Sequence, residues 1–475
     1  MPAALDIMAT TVSIASVSTR RYSILRTLGF LSLILICRTA YPVELSAAPA
    51  VSVGYLYIDD INPATRSSSN EAAQGATISP QLAARLTGAH IAGDFDGILQ
   101  YFRYNQGEHQ NVYQARGMTR LQALPNTAFM DIRGSLAQRS INYDPLIEQN
   151  RFQFSDQRRD VWNFSLAPAV VLNGARSRTE FQYTREIARV RGADRGDFDS
   201  NRYLAAMTSK NAEPGQATWE GHVHWRDTGF RDRGDSQYRD LGINYRFSLS
   251  RLVEADLTGG LEYNRIPNLS IGRGVPQAYW LAGTRIKPTL LLDMQFAAGQ
   301  RNFGATYRGA ISYRMHGLAM SGEYAERVVD TAPVSTVIVT QEDIALILRG
   351  PHISRRLNLR TVYDTTRTRA QLTATQDKRG YALGLDQDVL RYMQAEISYR
   401  MSARFVADST VRIDYNISNL ELIAGTYTSA TLGLGYLAAK SVTLKVKANF
   451  YNRDYAQLRD IYNAIYMLEM TVTGG

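Results

Sequence analysis

A single cysteine, Cys37, occurs in the 475 residues. It lies in an N-terminal apolar segment, so removal of that segment would leave a chain with no disulfides, thiolate metal sites or cysteine nucleophiles. Long apolar runs are also missing. Beyond the N-terminus no stretch approaches the roughly 18 apolar residues that a membrane-crossing helix needs, which argues against a helical membrane protein. Six histidines leave few bases to activate a serine. The hydrolase elbow G-x-S-x-G, the zincin H-E-x-x-H, the phosphate-binding P-loop and the strict Rossmann G-x-G-x-x-G are absent. Gly433-Leu434-Gly435-Tyr436-Leu437-Ala438 fits only the loosened Rossmann form, inside a strand-like stretch with no helix to follow. Lys and Arg outnumber Asp and Glu for a net charge of +9, yet no basic tail or Lys-rich block collects them. Nucleic acid is therefore a poor partner for this chain.

What the chain has instead is a rhythm of two. In Leu241-Gly242-Ile243-Asn244-Tyr245-Arg246-Phe247-Ser248-Leu249, apolar and polar residues alternate, and Val442-Thr443-Leu444-Lys445-Val446-Lys447-Ala448-Asn449-Phe450 repeats the pattern near the far end. A β-strand sends successive side chains to opposite faces, so each such segment has one greasy and one polar face. Repeated segments of about ten residues joined by turns predict a transmembrane antiparallel up-and-down β-barrel, with lipid outside and a wet lumen inside. The 28 Tyr against 15 Phe suit rings that sit at a membrane–water interface. A soluble sandwich or propeller would also alternate. The export signal, the size and the charge gathered on one face favour the barrel.

The N-terminus reads as a secretory signal preceded by an extension. Arg20, Arg21 and Arg26 come before the short apolar run Leu28–Ile36, the order of a positive region and a hydrophobic core in an exported chain. Ala48-Pro49-Ala50 is a cleavage candidate, and Ala40 an alternative with Arg38 in an unfavourable position. The expected organisation is residues 1–50 as signal with extension and 51–475 as barrel, with no separate periplasmic domain or plug.

Tight turns are expected at Gly88-Ala89, Pro125-Asn126, Asn173-Gly174, Pro214-Gly215, Ser250-Arg251, Pro288-Thr289, His316-Gly317, Thr366-Arg367, Ser402-Ala403 and Ala439-Lys440. Longer polar connections alternate with them, as short periplasmic turns alternate with long extracellular loops. The count is about 22 strands within a range of roughly 16 to 22. The stretch Val334–Leu348 has room for a further hairpin, and the connections near 140–159 and 331–355 are long enough to fold inward and narrow a pore.

With the polar faces turned inward, the lumen-lining cations are Arg133, Arg226, Arg246, Arg308, Arg314, Arg360, Arg400, Arg412, Lys445 and Lys447. The inward anions are Asp94, Asp96, Asp131, Glu220, Glu254, Asp256, Asp293, Glu396 and Asp414. Two readings fit these charges. They pair across neighbouring strands and stiffen the wall, or an excess of Arg and Lys selects anions in a pore. His222 and His224 share a face with Glu220 and Arg226. That set lacks the three or four convergent ligands that zinc needs, so no metal or other cofactor is expected. Asp94 and Asp96 also share a face, roughly 7 Å apart along a strand, a spacing commonplace in a wet lumen. No catalytic residue is assigned, and the protein is expected not to be an enzyme. His90, His109, His316 and His352 fall in or beside turns and loops.

Several segments resemble the PEP-CTERM-system-associated outer-membrane β-barrel family: Ser52–Asn62, Ile78-Ser79-Pro80, Ser354–Leu357, Tyr399–Arg404 and Tyr451–Asp454. The resemblance covers most of the chain as pattern more than signature. It implies an outer-membrane barrel tied to exopolysaccharide or sorted surface proteins, with no chemistry to carry over. One departure is the end, where Tyr466–Val472 runs into Thr473-Gly474-Gly475 and not into a terminal Phe or Trp. The expected function is a passive outer-membrane channel for exopolysaccharide or other anionic solutes. The alternative is a structural or interaction barrel whose loops hold polysaccharide or a secretion partner. An outer-membrane lipid-modifying enzyme has the least support in the residues. Expected partners are outer-membrane lipid, the anionic solute and a polysaccharide-export or secretion complex.

Overall fold

The computed structural model describes residues 43–59, 72–105, 109–140, 158–191, 197–210, 217–231, 235–265, 274–329, 352–380, 387–417, 425–455 and 458–474. These residues contain no helix and form one 22-stranded sheet. The first half comprises β1 (Val43–Ile58), β2 (Ala73–Gly88), β3 (Ile91–Tyr104), β4 (His109–Leu124), β5 (Ala128–Ser140), β6 (Arg158–Asn173), β7 (Ser177–Val190), β8 (Phe198–Ser209), β9 (Thr218–Phe230), β10 (Ser236–Ser248) and β11 (Val253–Arg265). The second half comprises β12 (Gln277–Thr289), β13 (Leu292–Arg301), β14 (Gly304–Met315), β15 (Leu318–Val329), β16 (His352–Asp364), β17 (Thr368–Gly380), β18 (Gln387–Arg400), β19 (Phe405–Ile417), β20 (Gly425–Ala439), β21 (Val442–Tyr455) and β22 (Leu458–Thr473).

Each strand pairs antiparallel with the next, and β1 pairs with β22 from Ala50↔Thr473 to Ile58↔Ile465. The sheet is therefore a closed barrel, with the start of β1, Val43–Ala48, extending past β22 and paired with β2 alone.

The wall follows the alternation. On β10, Leu241, Ile243 and Tyr245 are 52%, 53% and 43% exposed, whereas Gly242 between them is buried. Leu257, Leu261, Trp280, Phe296, Tyr307, Ile311, Leu359 and Val446 extend the same exposed apolar surface around the barrel. In water such a surface would be unfavourable by roughly 25 cal/mol per Å²; as a lipid-facing belt it is the expected exterior. The opposite parity points inward. It is not uniformly polar. At the end bearing the longer connections, Leu56, Ile58, Phe102, Tyr104, Tyr427, Tyr451 and Ile465 form a buried inward cluster spanning the β1–β22 seam. Val161, Ala188, Val190, Phe198 and Phe230 form another on β6 to β9.

The strands turn close to the expected places. Asn126 takes a left-handed φ of 58° between β4 and β5, a conformation its short polar side chain tolerates, and Gly317 does so at 73° between β14 and β15. Four turns are displaced: the β2–β3 bend falls at Ala89-His90, the β6–β7 bend at Gly174-Ala175-Arg176, the β12–β13 bend at Leu290-Leu291 and the β20–β21 bend at Lys440-Ser441. The last two follow register shifts, at Ile286/Thr289 and Leu437/Ala439, that add a residue to one strand. β1 begins at Val43, ahead of the boundary expected at residue 51, because Val43–Ala50 pairs with Gln81–Gly88. The Pro214-Gly215 turn, the Val334–Leu348 stretch and the bulk of the 140–159 and 331–355 connections lie outside the described residues.

Candidate lumenal site

Inward parity is anchored on β1, where Ser52 and Leu56 are buried while Val51, Val53 and Tyr55 are exposed. Carrying it through the registers places Arg133, Arg226, Arg246, Arg308, Arg314, Arg360, Arg400, Arg412, Lys445 and Lys447 on the inward face. Asp94, Asp96, Asp131, Glu220, Glu254, Asp256, Asp293, Glu396 and Asp414 share that face.

What the structure adds is the pairing, and it divides the wall in two. From β2 to β13 many inward cations meet acids, while Arg226 stands opposite Arg202. Arg85 stands 3.7 Å from Asp94, and Arg116 pairs with Asp96. Arg120 forks onto Asp131 at 2.6 and 2.8 Å, with Arg133 3.7 Å from the same carboxylate. Arg246 reaches Asp256 at 3.5 Å, and Arg285 holds Asp293 through Nε at 2.9 Å. Asp94 and Asp96 are thus each matched to an arginine across the strands and do not form a carboxylate pair.

From β14 to β21 the balance changes. Arg412 grips Asp414 through two 2.7 Å hydrogen bonds, and Lys447 lies 3.8 Å from Glu469. Arg308, Arg314, Arg360, Arg400 and Lys445 are exposed to the lumen and have no carboxylate within pairing distance among the described residues. Arg360 has only the neutral Gln371 carbonyl, 3.0 Å away. One arc of the wall is therefore ion-paired, and in the other these five cations without a carboxylate partner stand on the same face as the acids Glu323, Asp364, Glu396 and Asp408.

Within the ion-paired arc, β9 to β13 build a dense polar cluster. His222 Nε2 donates to Asp240 Oδ2 at 3.0 Å; a carboxylate can only accept here, which fixes the proton on Nε2. Tyr238 Oη donates to the same oxygen at 3.4 Å. Arg301 binds Glu262 through Nε at 3.1 Å and Nη2 at 3.0 Å, and Asn264 Nδ2 donates to Glu262 at 3.0 Å. The Glu262 carboxylate is wholly buried, so its fork of donors is what makes the charge tolerable there. Arg301 also lies 5.3 Å from the Tyr279 ring centroid.

Glycine makes this cluster fit. A Cβ on Gly242 would collide with Tyr279 Oη and lie 2.8 Å from His222 Cε1; one on Gly260 would lie 2.7 Å from Tyr279 Cε1. The Tyr279 ring thus lies across the bare backbone of β10 and β11.

His222 and His224 face inward with Glu220 and Arg226, but His222 is engaged by Asp240 and His224 packs edge-on to Tyr238 at 5.2 Å. Among the described residues no three His, Cys, Asp or Glu side chains converge as metal ligands. His90 Nδ1 is 2.9 Å from the Gln122 carbonyl, and His352 is buried at the start of β16. The sequence reading singled out none of Asp240, Tyr238, Tyr279 and Arg301. The strand glycines Gly242 and Gly260 were the available signal, since glycine inside a strand marks close approach.

Solved structures share this architecture. The chain is similar to the siderophore receptor PirA from Acinetobacter baumannii, with a TM-score of 0.51 at 7% identity over 91% of this chain and 81% of that one. It is similar to the ferric enterobactin receptor PfeA from Pseudomonas aeruginosa, with a TM-score of 0.51 at 9% identity over 90% and 81%. The FrpB iron transporter from Neisseria meningitidis gives 0.50 at 10% identity over 90% and 81%. The fold is a 22-stranded outer-membrane-type β-barrel. At these identities the likeness concerns the fold alone. No known family profile matches the sequence, and no curated protein matches it.

Proposed function

We propose that this barrel is an outer-membrane channel that admits anionic solutes, with exopolysaccharide the class implied by the resemblance to PEP-CTERM-associated barrels. The observation that carries the reading is the inward arc of Arg308, Arg314, Arg360, Arg400 and Lys445, cations without a carboxylate partner among the described residues. Guanidinium and ammonium groups facing a lumen replace part of an anion's hydration and repel cations. The paired charges of the opposite arc serve wall rigidity. In this reading the barrel works beside a polysaccharide-export or secretion complex and has no catalytic role.

Planar-bilayer recording of the refolded protein across a salt gradient tests the proposal. Anion-leaning reversal potentials support it; a silent or cation-selective barrel overturns it.

A second reading is a receptor that takes up a ferric chelate, favoured by the 22-strand architecture shared with siderophore receptors over about nine-tenths of the chain. An anionic chelate would meet the same arc. Saturable binding of ferric enterobactin to a barrel without conductance would select this reading over the channel.

A further inference from the structure

The outward face of β7 to β11 carries a row of side chains in direct cross-strand register: Tyr183↔Tyr203, Tyr203↔Trp225, Trp225↔Arg239 and Arg239↔Tyr263. The rings touch along it, Tyr183 to Tyr203 at 5.0 Å and Tyr203 to Trp225 at 6.3 Å. One step toward the turn-bearing end the facing row is apolar: Phe181, Ala205, Val223, Leu241 and Leu261. One step toward the end with the longer connections it is polar: Arg185, Asn201, Asp227, Gln237 and Arg265. The aromatic row therefore marks the level where hydrocarbon gives way to headgroups, on the side where long connections indicate the outer leaflet.

Arg239 is the exception in that row. Its guanidinium sits 4.2 Å over the Trp225 ring and 5.2 Å over the Tyr263 ring, and has no carboxylate partner among the described residues. The nearby acids are occupied. Asp227 accepts Trp225 Nε1–H at 2.7 Å, and Asp199 takes Arg189 at 2.9 Å and Arg185 at 3.5 Å. Arg265, exposed on the adjacent strand one row higher, also lacks a carboxylate partner among the described residues. Beside Arg239, starting at Trp225, the outer wall is hollowed into an apolar groove of about 1010 Å³ that runs past Tyr203, Phe181 and Val170 to Met130 and Ile91. It opens beside Pro168, which cannot donate to β7 and interrupts the β6–β7 ladder. Trp225 belongs both to the groove and to the shelf under Arg239.

We propose that this place is a binding site for a phosphorylated membrane lipid, with an acyl chain in the groove and the phosphate oxygens on Arg239 and Arg265. Stacking on two rings holds the Arg239 fork flat and leaves its donor edge for bidentate phosphate contact. An apolar groove that ends at the Trp225 ring under the Arg239 guanidinium, at the headgroup level, matches the two halves of such an amphiphile.

The test uses the full barrel with Trp225 as its remaining tryptophan of four, the others changed as Trp162→Phe, Trp219→Phe and Trp280→Phe. Refolded vesicles contain bromine-labelled phosphatidylglycerol in unlabelled phosphatidylcholine, or the reverse. The site predicts that Trp225 is quenched more by the anionic lipid, with a preference of about fivefold. Arg239→Gln removes that preference, and Lys378→Gln on β17 leaves it intact. Equal quenching by both lipids in the parent, or a preference that survives in a folded Arg239→Gln protein, overturns the site. If Arg239→Gln does not fold, Arg239→Lys keeps the charge without the fork and must weaken the preference. The outcome is independent of conductance, so it fails or stands apart from the channel reading.

Discussion

Ser52 Oγ and Thr471 Oγ1 stand 2.8 Å apart on the inward face of the seam that joins the first strand to the last. Two residues on, Gly54 lies against β22 with room for no side chain: a Cβ there would be 2.9 Å from the Leu468 carbonyl and from Thr77 Cγ2. Closure thus depends more on backbone approach than on the hydroxyl pair. Ser52→Ala is expected to cost about 1 kcal/mol, and Gly54→Val about 1–3 kcal/mol. Heat-modifiable gel migration ranks the two, and a Gly54→Val barrel as heat-resistant as the parent would contradict this account.

Charge reversal should separate the two arcs of the lumen. Arg308→Glu with Arg360→Glu is expected to move the reversal potential toward cation preference, because neither guanidinium has an acid to release. Lys445→Glu should act in the same direction. Arg246→Glu, 3.5 Å from Asp256 in the parent, is expected to loosen the local wall more than it alters selectivity.

Arg301→Ala leaves the wholly buried Glu262 carboxylate without its fork. The expected cost is about 3–5 kcal/mol, the usual price of stranding one partner of a buried pair. The double change Arg301→Met with Glu262→Gln should recover much of it. Urea unfolding followed by tryptophan fluorescence measures both.

Gly242→Ala drives a methyl into the Tyr279 hydroxyl and the His222 ring. A loss of about 1–3 kcal/mol is expected, relieved by Tyr279→Phe, which removes the colliding oxygen. Additive losses in the double variant would show that the ring does not lie over that glycine in solution.

Where the expected signal would be cleaved bears on β1. Residues Val43–Ala50 pair with β2, so cleavage after Ala50 would strip eight ladder positions from the barrel. Cleavage ahead of Val43, such as after Ala40, is expected instead, and N-terminal sequencing of protein taken from membranes decides it.

The barrel itself was legible in the sequence because period-two alternation determines both element type and facing: once Leu241, Ile243 and Tyr245 are outward, Asp240, Gly242 and Arg246 must be inward. Alternation says nothing about which inward residue meets which. Asp94 and Asp96 look like a pair on one strand, yet each is taken by an arginine from a neighbouring strand, and only the register reveals that. His222 likewise suggests His224 as a partner, while the real one, Asp240, is eighteen residues away and diagonal across β9 and β10. Strand ends misled for another reason. Leu56, Ile58 and Phe102 continue the inward parity into an apolar cluster, where composition alone suggested water.

The division of the wall into an ion-paired arc and an arc of cations without carboxylate partners gives the tube a lateral polarity as well as an axis. Under the proposed function, a negatively charged chain inside it would feel a sideways pull toward β14–β21, so its path would be a track along one side and not a line down the middle. A long flexible polyanion guided in this way would slide past successive arginines with only part of its circumference touching protein.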